Sequence, residues 1–210
     1  MKHLIVVAHP LEDSVTMKLA RSYTLELEHL GHEWVMHDLY RIGFDPVMGP
    51  NELEPRAAHL EAPGDVREAQ AAVAACEVLT VVYPLWWASM PAILKGYIDR
   101  VFARGFAYEA RGGMTRGLLT GRSCVIVTLS GSPFALLNET GEWQAIQALQ
   151  DVHIFRSSGF TVLEHLHFGM VEPPIGAGTL AAQTGRMRDC ARRHFSSARV
   201  SSESASSESP

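Results

Sequence analysis

The chain has 210 residues, enough for one domain with a sizeable core, and its 47% apolar and 20% charged content is that of an ordinary globular protein. A net charge of −5 argues against nucleic acid or a membrane surface as partner, since both call for a basic patch. No apolar run reaches the roughly 18 residues of a spanning helix, and the three cysteines, Cys76, Cys124 and Cys190, form no Cys-x-x-Cys pair. The expectation is a protein of the reducing cytoplasm, without a disulfide framework or a cysteine metal site.

Met1-Lys2-His3 leads directly into the apolar run Leu4–Ala8, which is too short and too strand-like for a signal peptide. A run without alternation reads as a strand buried on both faces. Val15, Leu19, Tyr23, Leu27 and Leu30 recur at helical spacing, with Asp13 or Ser14 to cap the start and Gly31 to end it. Glu33–Leu39 reads as a second strand and Arg41–Pro63 as a long Pro-, Gly- and acid-rich excursion. A helix over Val66–Cys76 precedes the strand Val78–Tyr83, and Ala92–Phe102 reads as a helix with Pro91 near its first turn. Phe106–Gly121 reads as irregular. Cys124–Thr128 is a fourth strand, Thr140–Arg156 mostly helix, Phe160–Phe168 a fifth strand and Gly178–Phe195 a last helix. Residues 1–196 then form one domain. Residues 197–210, almost all Ser, Glu and Ala, cannot bury enough apolar surface to offset their ordering entropy and are expected to be a disordered tail.

Strands alternating with helices predict an α/β, doubly wound parallel sheet, and five strands favour the order 2-1-3-4-5. Ligands in such sheets bind beyond the carboxyl ends of the strands, at the switch point. Three segments lie there. His9–Thr16 leads into a helix N-terminus, where free N–H groups and hydroxyls can hold a phosphate, provided Glu12 and Asp13 face solvent. An ordinary helix cap accounts for the same residues equally well. Pro84–Pro91 carries the adjacent Trp86 and Trp87, which need something flat or apolar to cover them, whether a ligand, the protein core or a subunit interface. Thr128-Leu129-Ser130-Gly131 offers small donors and close backbone approach. His165-x-His167 places two imidazoles on one strand face, but no third ligand is apparent, and a half-exposed strand edge is the expectation rather than a metal site. Arg186, Arg188, Arg192 and Arg193 read as a solvated helix face.

The stretch from Tyr83 to Phe102, with Gly105-Phe106-Ala107-Tyr108 after it, closely matches F-P-L-x-W-x-x-x-P-A-x-L-K-G-[WY]-x-[DE]-R-V-F. With His9-Pro10 and Ser14, it makes the chain resemble the flavodoxin-like NAD(P)H dehydrogenase (quinone) family over about Lys2 to Phe195. The resemblance implies a flavodoxin-like fold and a flavin, FMN in preference to FAD. It implies that His9, Ser14, Val15 and Thr16 hold the flavin phosphate, that Pro84, Leu85, Trp86 and Trp87 run along the ring, and that Thr128, Ser130 and Gly131 close its other side. Tyr108 and Trp87 would face the substrate, Tyr108 from a partner subunit of a homodimer. The implied reaction takes hydride from NAD(P)H to flavin N5 and on to a quinone at one shared site. A nitro or azo acceptor, or a flavin-bearing regulatory subunit docked on a membrane transporter, are the competing roles. There are departures from the family's pattern: Leu136 and Glu142 stand where animal members carry a Tyr and a His that handle charge on the reduced flavin, and Ala88 replaces a bulky aromatic.

Overall fold

The unalternating apolar runs form the middle of a parallel sheet. A computed structural model describes residues 1–53 and 62–196; part of the predicted excursion and the Ser-rich tail lie outside the described residues. The chain runs β1 (Lys2–Val7), α1 (Val15–His29), β2 (Glu33–Asp38), α2 (Pro50–Leu53), α3 (Gly64–Ala75), β3 (Val78–Pro84) and α4 (Ala92–Val101). It continues with β4 (Tyr108–Arg111), β5 (Met114–Gly117), β6 (Ser123–Leu129), α5 (Phe134–Glu139), α6 (Glu142–Gln147), a π-helix (Ala148–Arg156), β7 (Thr161–Phe168) and α7 (Ala177–Phe195). The main sheet has the order β2-β1-β3-β6-β7, all parallel, which is the expected 2-1-3-4-5 among its own strands. No helix among the described residues is long and apolar enough to cross a membrane.

Successive strand residues point to opposite faces, so each inner strand feeds two cores. Ile5, Val7, Val82, Val125 and Val127 pack with Leu19, Tyr23 and Leu27 of α1 and Met187 and Cys190 of α7. Leu4, Val6, Leu79, Val81 and Ile126 pack with Val73 of α3 and Leu94, Tyr97 and Val101 of α4. The arginine face of α7 is exposed as expected, and three of its side chains also make surface contacts. Arg192 reaches the buried Glu26 of α1 at 2.8 Å through both Nε and Nη2, Arg193 pairs with Glu164 at 3.0 Å, and Arg186 lies 4.5 Å over the Phe168 ring.

Two residues of the matched Tyr83–Phe102 stretch act on the Arg41–Pro63 excursion rather than on the site. A Cβ at Gly96 would collide with the Pro46 backbone, so glycine permits the loop to cross α4. Arg100, buried, donates from Nε to Glu52, from Nη1 to the Asp45 carbonyl and through Nη1 and Nη2 to Asp65.

Two segments differ from expectation. Phe106–Gly121, expected to be irregular, contains the antiparallel hairpin β4–β5, turned by Gly112 and Gly113 at φ +60° and +77°. That is the glycine pair a tight hairpin turn favours. The helical stretch before β7 begins at Phe134 and ends as a π-helix, a rare form that is frequent at functional sites.

Removing the Arg100 guanidinium leaves the largely covered Glu52 carboxylate without its cation, held among the described residues only by the Gly49 amide. Arg100→Met therefore lowers stability by about 3 kcal/mol, read as a shift of the urea midpoint; an unchanged midpoint contradicts the clamp. A second expectation concerns pH. His3 is buried, with neither ring nitrogen partnered among the described residues. Burial, then the nearby His32 and the amino terminus, push its pKa from 6.5 down to about 4. Between those values the unfolded chain binds a proton at His3 that the native chain does not, so stability falls as pH drops through this window. Thermal unfolding of His3→Phe shows a shallower fall from pH 6.5 to 4 than the wild type; an equal or steeper fall contradicts the assignment.

Candidate functional site

Parallel pairing sets the ends of three strands in line. Val7 pairs with Val82 and Val82 with Val127, and the Ala8 amide continues the ladder to the Val82 carbonyl. Beyond β3, the Leu85 amide donates to the Leu129 carbonyl at 2.6 Å. The loops after β1, β3 and β6 therefore meet over one cleft of about 250 Å³. His9, Leu11, Ser14, Val15 and Thr16 line it from the first loop, Pro84, Leu85 and Trp86 from the second, and Leu129, Ser130 and Gly131 from the third. Val171 and Pro173, after β7, complete the wall. Nine of the twelve residues singled out in the sequence share this cleft. A larger hollow of about 710 Å³, around His3, His32 and Trp34, contains none of them.

One end of the cleft is polar. Ser14 caps α1, its Oγ accepting from the Met17 amide at 3.3 Å, while Lys18 N–H takes the Ser14 carbonyl at 3.0 Å. The Val15 and Thr16 amides are left without intrahelical acceptors, at the positive end of the helix. The cap reading and the anion reading of this loop thus hold together, since the Ser14 hydroxyl proton remains free to donate. Glu12 does not oppose an anion here: its carboxylate reaches Arg21 at 3.1 Å, and neither it nor Asp13 lines the cleft. His9 Nδ1 accepts from the Leu11 amide at 3.0 Å. In the neutral ring this places the proton on Nε2, and burial favours the neutral ring by lowering the His9 pKa.

The rest of the cleft is apolar: Leu85, Trp86, Leu129, Val171 and Pro173. Trp86 sits 6.4 Å from His9, ring to ring. It also begins a tight turn, in which Trp86 N–H donates to the Ser89 carbonyl and Ser89 N–H to the Trp86 carbonyl. The two residues between them, Trp87 and Ala88, have φ of +53° and +54°. Two successive side-chain-bearing residues in the left-handed region cost about 1–2 kcal/mol each. The turn holds Trp87 fully outward, 101% exposed.

Three of the predicted site residues lie elsewhere. Trp87 does not line the cleft, because the left-handed turn directs it to solvent. Thr128 does not line it either: the strand's alternation sends its side chain into the interior, where its Oγ1 lies within 3.0 Å of His165 Nε2 and His167 Nδ1. Tyr108 starts β4 and lines a separate cavity of about 380 Å³ with Asp99, Thr115 and His153. The two histidines are not at a half-exposed edge. The π-helix and α6 cover this end of β7, and Trp143 lies 4.6 Å from His165 and 5.3 Å from His167. Leu11, Leu129, Val171 and Pro173 were missed by sequence reasoning. The rule that ligands sit past the strand ends extends to the loop after β7 and could have found the last two.

The flavodoxin-like fold family matches residues 1–189. An "Uncharacterized NAD(P)H oxidoreductase" of Haemophilus influenzae is 31% identical over 173 residues, covering 80% of this chain and 84% of that one. A ribosyldihydronicotinamide dehydrogenase [quinone] of Pongo abelii is 29% identical over 156 residues, covering 67% of this chain and 68% of its own. Among solved structures, an NAD(P)H:quinone oxidoreductase from Methanothermobacter marburgensis superposes with a TM-score of 0.82 at 26% identity, covering 92% of this chain and 96% of that one.

The left-handed turn has a direct consequence. Ala88→Gly relieves strain at φ +54° and raises stability by about 1 kcal/mol, measured by urea unfolding. A lowered midpoint contradicts the turn geometry.

Proposed function

The chain belongs to the flavodoxin-like fold family, and from that premise we propose its chemistry: it is an NAD(P)H:quinone oxidoreductase that works through a flavin. The observation that carries the reading is the cleft's division into an anion-receptive end and an apolar end, built from the loops of three adjacent strands. The donor set fits a flavin nucleotide. The Val15 and Thr16 amides, the Ser14 hydroxyl and the His9 Nε2–H would hold its phosphate. Leu85 and Trp86 would lie along the ring, and Ser130 and Gly131 would close the far side, where a Cβ on Gly131 would come 3.1 Å from the Glu172 carboxylate. We assign FMN in preference to FAD, because the polar end of the cleft gathers its donors around a single anion position at the start of α1. Held there, a flavin would supply the hydride-transfer chemistry between NAD(P)H and an acceptor.

The chain's own residues bind, orient and exclude water. Leu129, Val171 and Pro173 seal the cleft from the side of α7, and Trp86 presents an apolar surface against which a flat acceptor can stack. Trp87 and Tyr108 are proposed to act on the substrate side only when a second copy of the chain closes the site. A homodimer accounts for the apolar side chains left exposed on the loops after β1, β3 and β7 and on α5: Leu11, Trp87, Met170 and Leu136. The three buried, free thiols favour a reducing cytoplasm.

The test is reconstitution. The protein takes up FMN with a flavin absorbance band, and a benzoquinone accelerates its NAD(P)H oxidation. Ser14→Ala weakens FMN binding about tenfold, the equivalent of one charge-assisted hydrogen bond. A protein that takes up no flavin overturns the cofactor assignment. NAD(P)H oxidation that an azo dye accelerates and no quinone does would favour the azo acceptor.

A further inference from the structure

Behind the cleft floor runs a continuous chain of hydrogen-bonding side chains. Asp151 Oδ1 lies 2.7 Å from His165 Nδ1, and His165 Nε2 lies 3.0 Å from Thr128 Oγ1. Thr128 Oγ1 lies 2.9 Å from His167 Nδ1, and His167 Nε2 lies 3.0 Å from Ser130 Oγ. Ser130 alone of the five lines the cleft. The others are out of water: Asp151 is 5% exposed, Thr128 0% and His167 7%, and the His165 side chain 1%.

Three elements assemble the chain. Thr128 of β6 pairs with His167 of β7, and the strand period puts His165 on the same face. The π-helix brings Asp151 to His165. Burying a carboxylate and two imidazoles costs more than filling the same space with apolar groups, so packing alone does not explain them.

Among the proton assignments that satisfy the links between the five side chains is one in which His165 donates Nδ1–H to Asp151 and Nε2–H to Thr128. Thr128 donates to His167 Nδ1, and neutral His167 donates Nε2–H to Ser130. The Ser130 hydroxyl then donates to the Ser132 carbonyl, 2.8 Å away. A neutral His167 agrees with its surroundings. Burial, then His165 and Arg186, hold its pKa down at about 4. Arg186 faces it from α7, its guanidinium 3.4 Å from the His167 carbonyl. Tyr83, bonded to Gln150, faces Asp151 from β3, and burial keeps its phenol protonated.

We propose that Asp151, His165, Thr128, His167 and Ser130 form a proton wire that supplies, at Ser130 Oγ, the proton consumed in quinone reduction. This rests on the function proposed above. Hydride carries two electrons and one proton, and a quinone becomes a hydroquinone only on gaining a second proton. The NAD(P)H is oxidised, the quinone is reduced, and the wire gives that second proton. The Ser130 hydroxyl turns from the Ser132 carbonyl and its proton leaves to the acceptor oxygen, and the His167 Nε2 proton replaces it. The Thr128 proton moves to His167 Nδ1, and the His165 Nε2 proton moves to Thr128. His165 ends neutral, still donating Nδ1–H to Asp151, and no heavy atom has moved. After product leaves, a proton from water in the cleft returns by the reverse sequence.

Thr128→Val keeps the volume of the central link and removes its hydroxyl; Thr128→Ser keeps the hydroxyl. In the flavin-loaded protein, Thr128→Val slows quinone-driven reoxidation about 10²-fold and abolishes its solvent deuterium isotope effect, and Thr128→Ser restores both. The histidine ¹⁵N spectrum, recorded without NAD(P)H or quinone, shows His167 with its proton on Nε2 in the wild type and in Thr128→Ser, and mixed tautomers in Thr128→Val. Should Thr128→Val not fold, Ser130→Ala removes the terminal link with the same kinetic expectation. Wild-type reoxidation and isotope effect in these variants overturn the wire. A wild-type protein with the expected ¹⁵N spectrum that reduces no quinone overturns the assigned reaction instead, and the wire's role with it.

Discussion

The in-register parallel pairing of β1, β3 and β6 is the constraint on which the rest of the molecule depends. Parallel strands all point one way, so every loop at their carboxyl ends opens on the same edge. The pairing of Tyr83 with Thr128 and Pro84 with Leu129 fixes how far each strand runs before its loop begins. His9, Leu85 and Ser130, more than 40 residues apart from one to the next, reach one cleft because that ladder holds. A one-residue slip would reverse the facing of Thr128 and Leu129, breaking the buried polar chain and the apolar wall together.

Much of this was legible in the sequence because it is local. Buried strands announced themselves as runs of Leu, Ile and Val, the Ser14 cap lay just before the helical period, and the strand-end rule turned a predicted order into a place. What escaped was non-local or needed a turn to be recognised. Gly112-Gly113 is a hairpin turn signal, yet the surrounding Arg and Gly residues masked the alternation of β4 and β5. Thr128 was assigned to the cleft by its neighbours in sequence, whereas its side chain faces the interior. Its partners, His165 and His167, are identifiable only once β6 and β7 are paired, and that register shifts at a bulge between Cys124 and Val125 that no pattern announces. Gly96 and Arg100, parts of the most specific stretch of the resemblance, act on the excursion that crosses α4 rather than on the cleft.

The site is also where local rules are broken. Trp87 and Ala88 occupy backbone conformations that glycine would fill more comfortably, and a carboxylate and two imidazoles lie in the core behind Ser130. Elsewhere, close backbone approaches carry glycine, and the buried Arg100 has an acceptor for each nitrogen. Departures gathered beside a cleft in this way are what a functional site, rather than a merely stable fold, requires. The Trp turn exposes an aromatic where an acceptor or a second subunit can meet it, and the polar chain brings a mobile proton to the cleft floor.

The central claim is that this cleft, and not the larger hollow at the opposite edge, receives the flavin. Titration of FMN into the ¹⁵N-labelled protein tests it most directly. The account predicts that the amides of Val15, Thr16, Leu85, Trp86, Ser130 and Gly131 shift together and saturate at one site. Shifts gathered instead around His3, His32 and Trp34, or no saturable shift at all, would contradict it.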